Sequence, residues 1–591
     1  MRRHRALACV LLAGAGAAAA AQVVAPFRTG VTGEALVLNA ELTVRIRSGR
    51  DLELVLRPRP GDTWSALVMR WASTGTTAEA LAAWNELGPS APLPGEVRLP
   101  VFMVSDELRR VALCALFPAD GREGDAWVHR ARAGTLPTYG EGLWQVASWF
   151  AADPRRWSEL AKVNALAGPD LSPGQTVRIP AALLHPAFAA RPTSADGTLE
   201  YGSDRDGPYA GYRLKAGEAL YSAVVLRFTG RTSSDDVQEV LETVQRRSGI
   251  ASAKDIPVGW LVKVPLELLE PEFLPPDDPA HREEVAASRE RAEALAREPL
   301  PSAGRGLEGV LVVLDPGHGG RDLGTMSHGL WEHDYVYDLT CRLKRWLETH
   351  TRARVAMTLE DLESGTDPSD AEPLVANQQG TVRTDPPFLA REVGEAPMGV
   401  NLRWYLANAL YRQARAAGSA ANRAVFLSLH ADARHPGLRG AMVYVPGASG
   451  CAGTHGFDVP AYRLYREVRA APLVSFGRKE LVRSEAVSRK LAESVLRELR
   501  AAKLPVQSIK PVRDRVLRGS ASWVPAVLRG NAIPAKLLIE VLNLSNADDA
   551  ALLRSAKERQ RIAEALGMAL LTHFGQRRPD LAPRAARRGG S

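Results

Sequence analysis

The sequence predicts an α/β protein: a mixed sheet flanked by helices over residues 307–575, preceded by three small βααβ modules. Three observations predict it. From Gly309 onward, buried strands such as "VLVVLD", "RVAMTL", "AVFLSLH" and "KLLIE" alternate with longer helical stretches, the pattern of a sheet covered on both faces. Ahead of that region one plan recurs three times: strand, Gly plus a polar residue, helix, helix, Pro-rich turn, strand, Pro. And 591 residues are too many for a single hydrophobic core.

The elements follow in order. "MRRHRALACVLLAGAGAAAAAQ" has a basic start, an apolar run and then small residues. That reads as a signal peptide over 1–21, cut near Ala21, and so as an exported chain. A membrane anchor is the alternative, but the apolar part is short and rich in Ala and Gly. Residues 22–50 hold a short β segment. The first repeat, residues 51–104, keeps Gly61-Asp62-Thr63, Asn85 and "LPGEVRLP". The second, 126–182, has helices around Leu143–Phe150 and Trp157–Asn164, with "LSPGQTVRIP" at its end. The third, 208–268, has Gln245-Arg246 where the Asn is expected and a polar insert "TSSDD" at Thr232–Asp236.

Residues 270–306 read as a linker in which proline clusters bracket a charged helix with little apolar stripe. The tail, 576–591, is basic and poor in hydrophobic residues, as a disordered segment is. A charge of +8 spread over the chain and 45% hydrophobic content fit a globular protein tolerant of anionic surroundings, without a nucleic-acid groove. Past the leader, Cys114, Cys341 and Cys451 form no disulfide framework and have no zinc-knuckle spacing. One bridge or three buried thiols remain open. No later segment is apolar enough to span a bilayer.

Three strands of the last domain end in an acid or a histidine: one runs into Asp315 and His318, one ends at His430, one at Glu540. In such sheets ligands collect beyond the carboxyl ends of the strands. Glu332 follows His318 by fourteen residues, just before an amphipathic helix whose Tyr335, Leu339, Leu343, Trp346 and Leu347 share a face. Two imidazoles and a carboxylate from separate elements, with a further carboxylate nearby, are the ingredients of an open zinc site. The glycines around His318 let the turn fold tightly.

Two resemblances follow from these residues. The repeats resemble the LysM module, which implies binding of N-acetylglucosamine-containing glycans such as peptidoglycan; spacers that have lost their sugar contacts are the alternative. Trp144, Trp149 and Trp157 could stack on sugars or sit in a core. In order, "DPGHGGRDLG", "GLWEHDYVYDL", "FLSLHADA", "RGAMVYV", "VLRGNAIPAKLLIEVLNLSN" and "ERQRIAEALGMAL" resemble the zinc-dependent N-acetylmuramoyl-L-alanine amidases. That resemblance implies His318, Glu332 and His430 as ligands of Zn2+ and Glu540 as the catalytic carboxylate. It implies a peptidoglycan hydrolase of the periplasm or cell wall, acting in wall remodelling or cell separation. A catalytically silent peptidoglycan-binding scaffold is the competing reading.

Other residues get quieter roles. Asp315 and Asn546 are expected to brace turns, Asp432 to cap a strand end, and His328, His333, His435 and His455 to lie at the surface or face substrate. The chain departs from the family at Thr358-Leu359-Glu360-Asp361, and two stretches, 360–400 and 446–484, are long. In some members of the family an inserted helix covers the zinc until a partner displaces it. Either stretch is a candidate lid awaiting a protein activator, with Glu467 as blocking carboxylate; a plain surface loop is the alternative.

Overall fold

The computed structural model describes residues 35–47, 51–131, 142–299, 303–376 and 378–576. The leader and the basic tail from 577 on lie outside them. The chain divides into two compact units: one runs to Ala223 and adds Val244–Val264; the other holds Val224–Thr243 and everything from Pro265.

In the first unit, Ala35–Val37, Leu42–Arg47, Asp51–Leu56 and Val97–Pro100 form one antiparallel sheet. The β segment expected before residue 51 therefore extends the sheet of the first repeat. Gly61 takes the left-handed φ of +86° that a side chain would resist. Thr63 then caps helix Trp64–Trp71 by accepting from Ala66 N. The second repeat pairs Ala126–Arg130 with Thr176–Ile179 around helices Leu143–Phe150 and Trp157–Val163.

A single amide does the same work in both repeats. Asn85 donates to Leu81 O and Arg98 O, at 2.8 and 2.9 Å, and accepts from Arg98 N at 2.7 Å. Asn164 makes the equivalent bonds to Leu160 and Arg178 at 2.9, 2.8 and 2.7 Å. Each staples the end of the second helix to the last strand, satisfying backbone groups that the helix terminus leaves open. In the third repeat the staple is neither Gln245 nor Arg246. Ser248 Oγ donates to Val244 O and accepts from Lys263 N.

The two repeats share one hydrophobic core. Trp64, Trp71 and Leu81 of the first join Trp149, Phe150 and Ile179 of the second, through helix Asp106–Leu116 between them. Buried Arg109 on that helix donates to Val101 O and Trp149 O, tying the end of one repeat to the start of the next. Trp149 is core, at 1% exposure, whereas Trp144 and Trp157 stand 39% and 37% exposed.

The second unit contains the six-stranded mixed sheet. Its main elements are α1 (Pro279–Arg297), β1 (Leu311–Pro316), α2 (Glu332–His350), β2 (Arg354–Met357), α3 (Ala396–Ala416), β3 (Ala424–His430), β4 (Met442–Tyr444), α4 (Arg478–Ala501), β5 (Val512–Arg513), β6 (Ala535–Glu540) and α5 (Ala556–His573). Strand order is β2-β1-β3-β6-β4-β5; the first four run parallel, and β4 pairs antiparallel to β6. Successive residues face opposite sides of the pleat. Val312, Leu314, Val425, Leu427, Leu537 and Ile539 meet α2, α4 and α5 on one face. Leu311, Val313, Phe426 and Leu538 pack toward α3 on the other.

The expected linker is more than a spacer. Its helix α1 lies along α4, held by Glu290–Arg478, Glu298–Arg483 and Arg291–Glu485 ion pairs. The stretch 446–484 is likewise built into the domain. Tyr462, Tyr465 and Val468 are buried with Leu402, Trp404, Tyr405 and Phe388. Among the described residues no helix is long and apolar enough to cross a membrane. Cys114, Cys341 and Cys451 are free thiols.

Candidate metal centre

Register creates the site. Strands β3 and β6 pair so that His430 lies opposite Glu540, and Pro316 of β1 lies opposite Leu429. The central parallel strands thus deliver both functional side chains to their carboxyl ends, the edge where loops are free to specialise. Past Pro316 the chain turns sharply: His318 itself takes φ +62°, followed by Gly319 at +135° and Gly320 at +61°. A non-glycine residue held left-handed is costly and marks a constrained position.

Two glycines keep the space clear. A Cβ on Gly317 would stand 2.6 Å from the His430 ring, and one on Gly324 would stand 2.6 Å from the His318 ring and 2.7 Å from Glu332 Oε2. The third member arrives from the other side. A small hairpin, Met326–Ser327 with Leu330–Trp331, leads into α2, whose first residue is Glu332. A carboxylate at a helix N-terminus is favoured by the helix dipole.

The three side chains converge. One ligand atom from each of His318, Glu332 and His430 lies within 4.8 Å of the other two. Glu332 is 2% exposed and bridges the rings: its Oε2 is 3.1 Å from His318 Nε2 and its Oε1 is 3.0 Å from His430 Nδ1. Backbone N–H groups of Thr325 and Ala431 donate to the same two oxygens at 3.1 Å. Burial alone would raise the Glu332 carboxyl, but His318, and after it His430, hold it well below the usual carboxylate range. Burial would likewise lower His318, yet Glu332 and Asp322 lift it to about 10. Carboxylate and imidazole thus stabilise each other's charged forms.

Asp322 is the residue that motif reading overlooked. Its Oδ1 lies 3.0 Å from His318 Nδ1, which fixes the ring and leaves Nε2 directed at Glu332. A carboxylate behind a histidine is the usual support for a metal ligand. The spacing "HGGRD" was its signal. Two imidazoles, one carboxylate and this support fit a zinc ion by donor chemistry.

Glu540 is buried and held at both oxygens. Asp432 N donates to Oε2 at 2.9 Å, and Arg434 Nη2 lies 3.2 Å from Oε1. Burial pushes its carboxyl above the ordinary range, against the pull of Arg434. The neighbouring residues take supporting positions. Asp315 is fully buried and saturated by Thr358, Ser428 and Arg403. Asn546 caps the helix after β6. Asp432 Oδ1 accepts from Ala433 N.

His333 contradicts its expected surface place. It is 2% exposed, with Nδ1 2.8 Å from Gly317 O, and burial pushes its imidazole down to about 4. It pins the turn that carries His318. His328 and His455 are partnered by Leu544 O and Cys451 O. Glu467 is no blocking carboxylate here. It is buried, accepts from Asp385 N and pairs with Arg466, and it is not part of the His318–Glu332–His430 cluster.

Comparison with known proteins yields matches to two families. Residues 312–572 match the N-acetylmuramoyl-L-alanine amidase family, and residues 59–97 and 139–180 match the LysM domain; the third repeat lies outside both LysM matches. Among solved structures the chain is similar to the N-acetylmuramyl-L-alanine amidase Ami1 from Mycobacterium smegmatis (19% identity, TM-score 0.28, covering 45% of this chain and 97% of that one). It is similar to the amidase AmiC2 of Nostoc punctiforme (19%, 0.27, 46% and 100%). The CwlD amidase from Clostridioides difficile, solved in complex with the GerS lipoprotein, gives 19%, 0.27, 45% and 98%. No curated protein matches the chain.

Proposed function

We propose that this chain, an N-acetylmuramoyl-L-alanine amidase-family domain behind LysM domains, is an exported zinc hydrolase. It cleaves the amide between the lactyl group of N-acetylmuramic acid and the L-alanine of the stem peptide. The observation that carries this reading is the convergence of His318, Glu332 and His430 beside a buried Glu540.

His318, Glu332 and His430 would hold the zinc, with Asp322 steadying the first. Bound there, zinc supplies Lewis acidity to a carbonyl oxygen and lowers the pKa of water. The protein's own part in the reaction is proton transfer. As the water oxygen attacks the lactyl carbonyl carbon, Glu540 accepts the proton that water loses. The C–N bond then breaks, and Glu540 passes that proton to the departing alanine nitrogen. The products are a muramoyl carboxylate and a peptide with a free amino end. A carboxyl held at both oxygens, by Asp432 N and Arg434, suits a group that must take up a proton in one half of the reaction and return it in the other.

The repeats would hold the enzyme on glycan, raising the local concentration of substrate at the catalytic domain. The leader supports a periplasmic or cell-wall location. The deciding experiment is metal analysis with mass spectrometry of digested sacculi. Wild type should carry one zinc and release free stems and peptide-less glycans. Glu540→Ala should keep its zinc and lose about 10²–10⁴-fold in kcat. Cut cross-links in place of free stems, or no products from zinc-loaded wild type, would overturn the reading.

A further inference from the structure

The guanidinium of Arg434 is buried, 5% exposed, four residues past His430. Besides Glu540, it reaches Tyr444 Oη at 3.1 Å, Met442 Sδ at 2.8 Å and Thr232 Oγ1 at 3.5 Å, all through Nη1. The Tyr444 ring lies 5.5 Å beneath its centre. Its backbone N donates to Asn543 Oδ1, and the next residue, His435, donates its N–H to Thr232 O at 2.9 Å.

Thr232 opens the polar insert that sets the third repeat apart from the other two, and it lies outside the amidase match. The insert belongs to the same compact unit as the metal centre. Thr232 and Asp236 are both buried. Asp236 Oδ1 accepts from Gly519 N at 3.0 Å, Arg513 Nη1 donates to Gly230 O at 2.7 Å, and Phe228 O accepts from Glu270 N at 2.9 Å. The stretch 228–236 is thus bonded along its length to the domain that it serves.

We propose that Arg434 is a positioning residue for Glu540, and that the insert Thr232–Asp236 braces the loop that carries it. The proposal rests on reading Glu540 as the proton carrier. A carboxylate pinned at one oxygen alone can swing about its side-chain torsions. With Asp432 N on one oxygen and a guanidinium on the other it has a single orientation, and such support decides whether a catalytic group is in reach. A buried arginine stays where its partners hold it, because losing one strands its charge. The third repeat keeps a staple in Ser248, while its insert belongs to the unit that holds the metal centre.

The test uses the full chain. Arg434→Ala should lower kcat about 10–100-fold, with KM within about twofold and zinc content unchanged. Arg434→Lys should recover part of the loss, since it keeps a cation at the site. Asp236→Ala, remote from the chemistry, should cost kcat a few-fold with the same KM, and it carries the test with the Lys variant if the Ala variant does not fold. Crystal structures of metal-free wild type and Arg434→Ala should differ in the Glu540 side-chain torsions. An Arg434→Ala enzyme with wild-type kcat, or a Glu540 carboxylate unmoved in its crystal structure, overturns the proposal. If wild type releases no free stems, the amidase reading fails, while the crystal pair still decides the positioning claim.

Discussion

The repeats and the catalytic domain use polar side chains inside apolar surroundings in opposite ways. Asn85 and Asn164 each donate both amide hydrogens to, and accept one hydrogen bond from, their own module's backbone. His318, Glu332 and His430 face one another, with one ligand atom of each within 4.8 Å of the other two, an arrangement that could hold a metal ion. A recurring residue in a motif is therefore no sign of chemistry until its partners are known. Pairing with backbone marks a staple; mutual dependence among titratable groups marks a site.

The contrast can be broken by experiment. The largest effect should come from Glu332→Gln, which removes the charge that joins the two rings. Zinc content should fall to background and hydrolysis to the detection limit, while the melting transition of the full chain persists. Retention of stoichiometric zinc by that variant would show that the cluster is an ion-pair network. Next comes Asp322→Ala, which frees the His318 ring; zinc affinity, read by competition with a chelator, should weaken about 10–100-fold.

Asn164→Ala tests the other side. It leaves backbone groups at the helix end unpaired and should cost about 1–3 kcal/mol of stability in denaturant unfolding, with zinc content and kcat unchanged. Ser248→Ala, which removes a hydroxyl making two bonds, should cost about 1 kcal/mol. A loss of metal in either variant would erase the distinction.

The smallest effect is expected in acid. Each region holds a partly buried imidazole: burial pushes His185 in the first unit and His573 in the second down to about 4. Because the folded value lies below the ordinary 6.5, the unfolded chain takes up these protons first as pH falls. Their stabilisation is complete above about pH 6.5 and lost between there and about 4. The melting temperature should decline through that window, and His573→Gln should decline less steeply.

Much of this was legible beforehand because it is periodic or local. The buried runs of β1, β3 and β6, the apolar face of α2 and the two best repeats all announce themselves by spacing. The residues ending those strands were readable because a strand end has one destination. What escaped depends on pairing across the chain. Ser248 replaces an asparagine by equivalent bonding, which residue identity does not reveal. His333 looks like a surface neighbour of Glu332 until the turn closes over it. Helix α1 docks through arginine–glutamate pairs, so it has no apolar stripe to betray a contact. Arg434 and Thr232 stand 202 positions apart, and nothing in either neighbourhood points to the other.

The single core beneath the first two repeats has a consequence for how they would meet a polymer. Two modules built on one core cannot swivel independently, so any pair of sugar sites on them would sit at one fixed separation and orientation. Such a pair would act as a calliper on a glycan strand, favouring chains whose repeat and twist match the gap over shorter fragments that reach only one jaw.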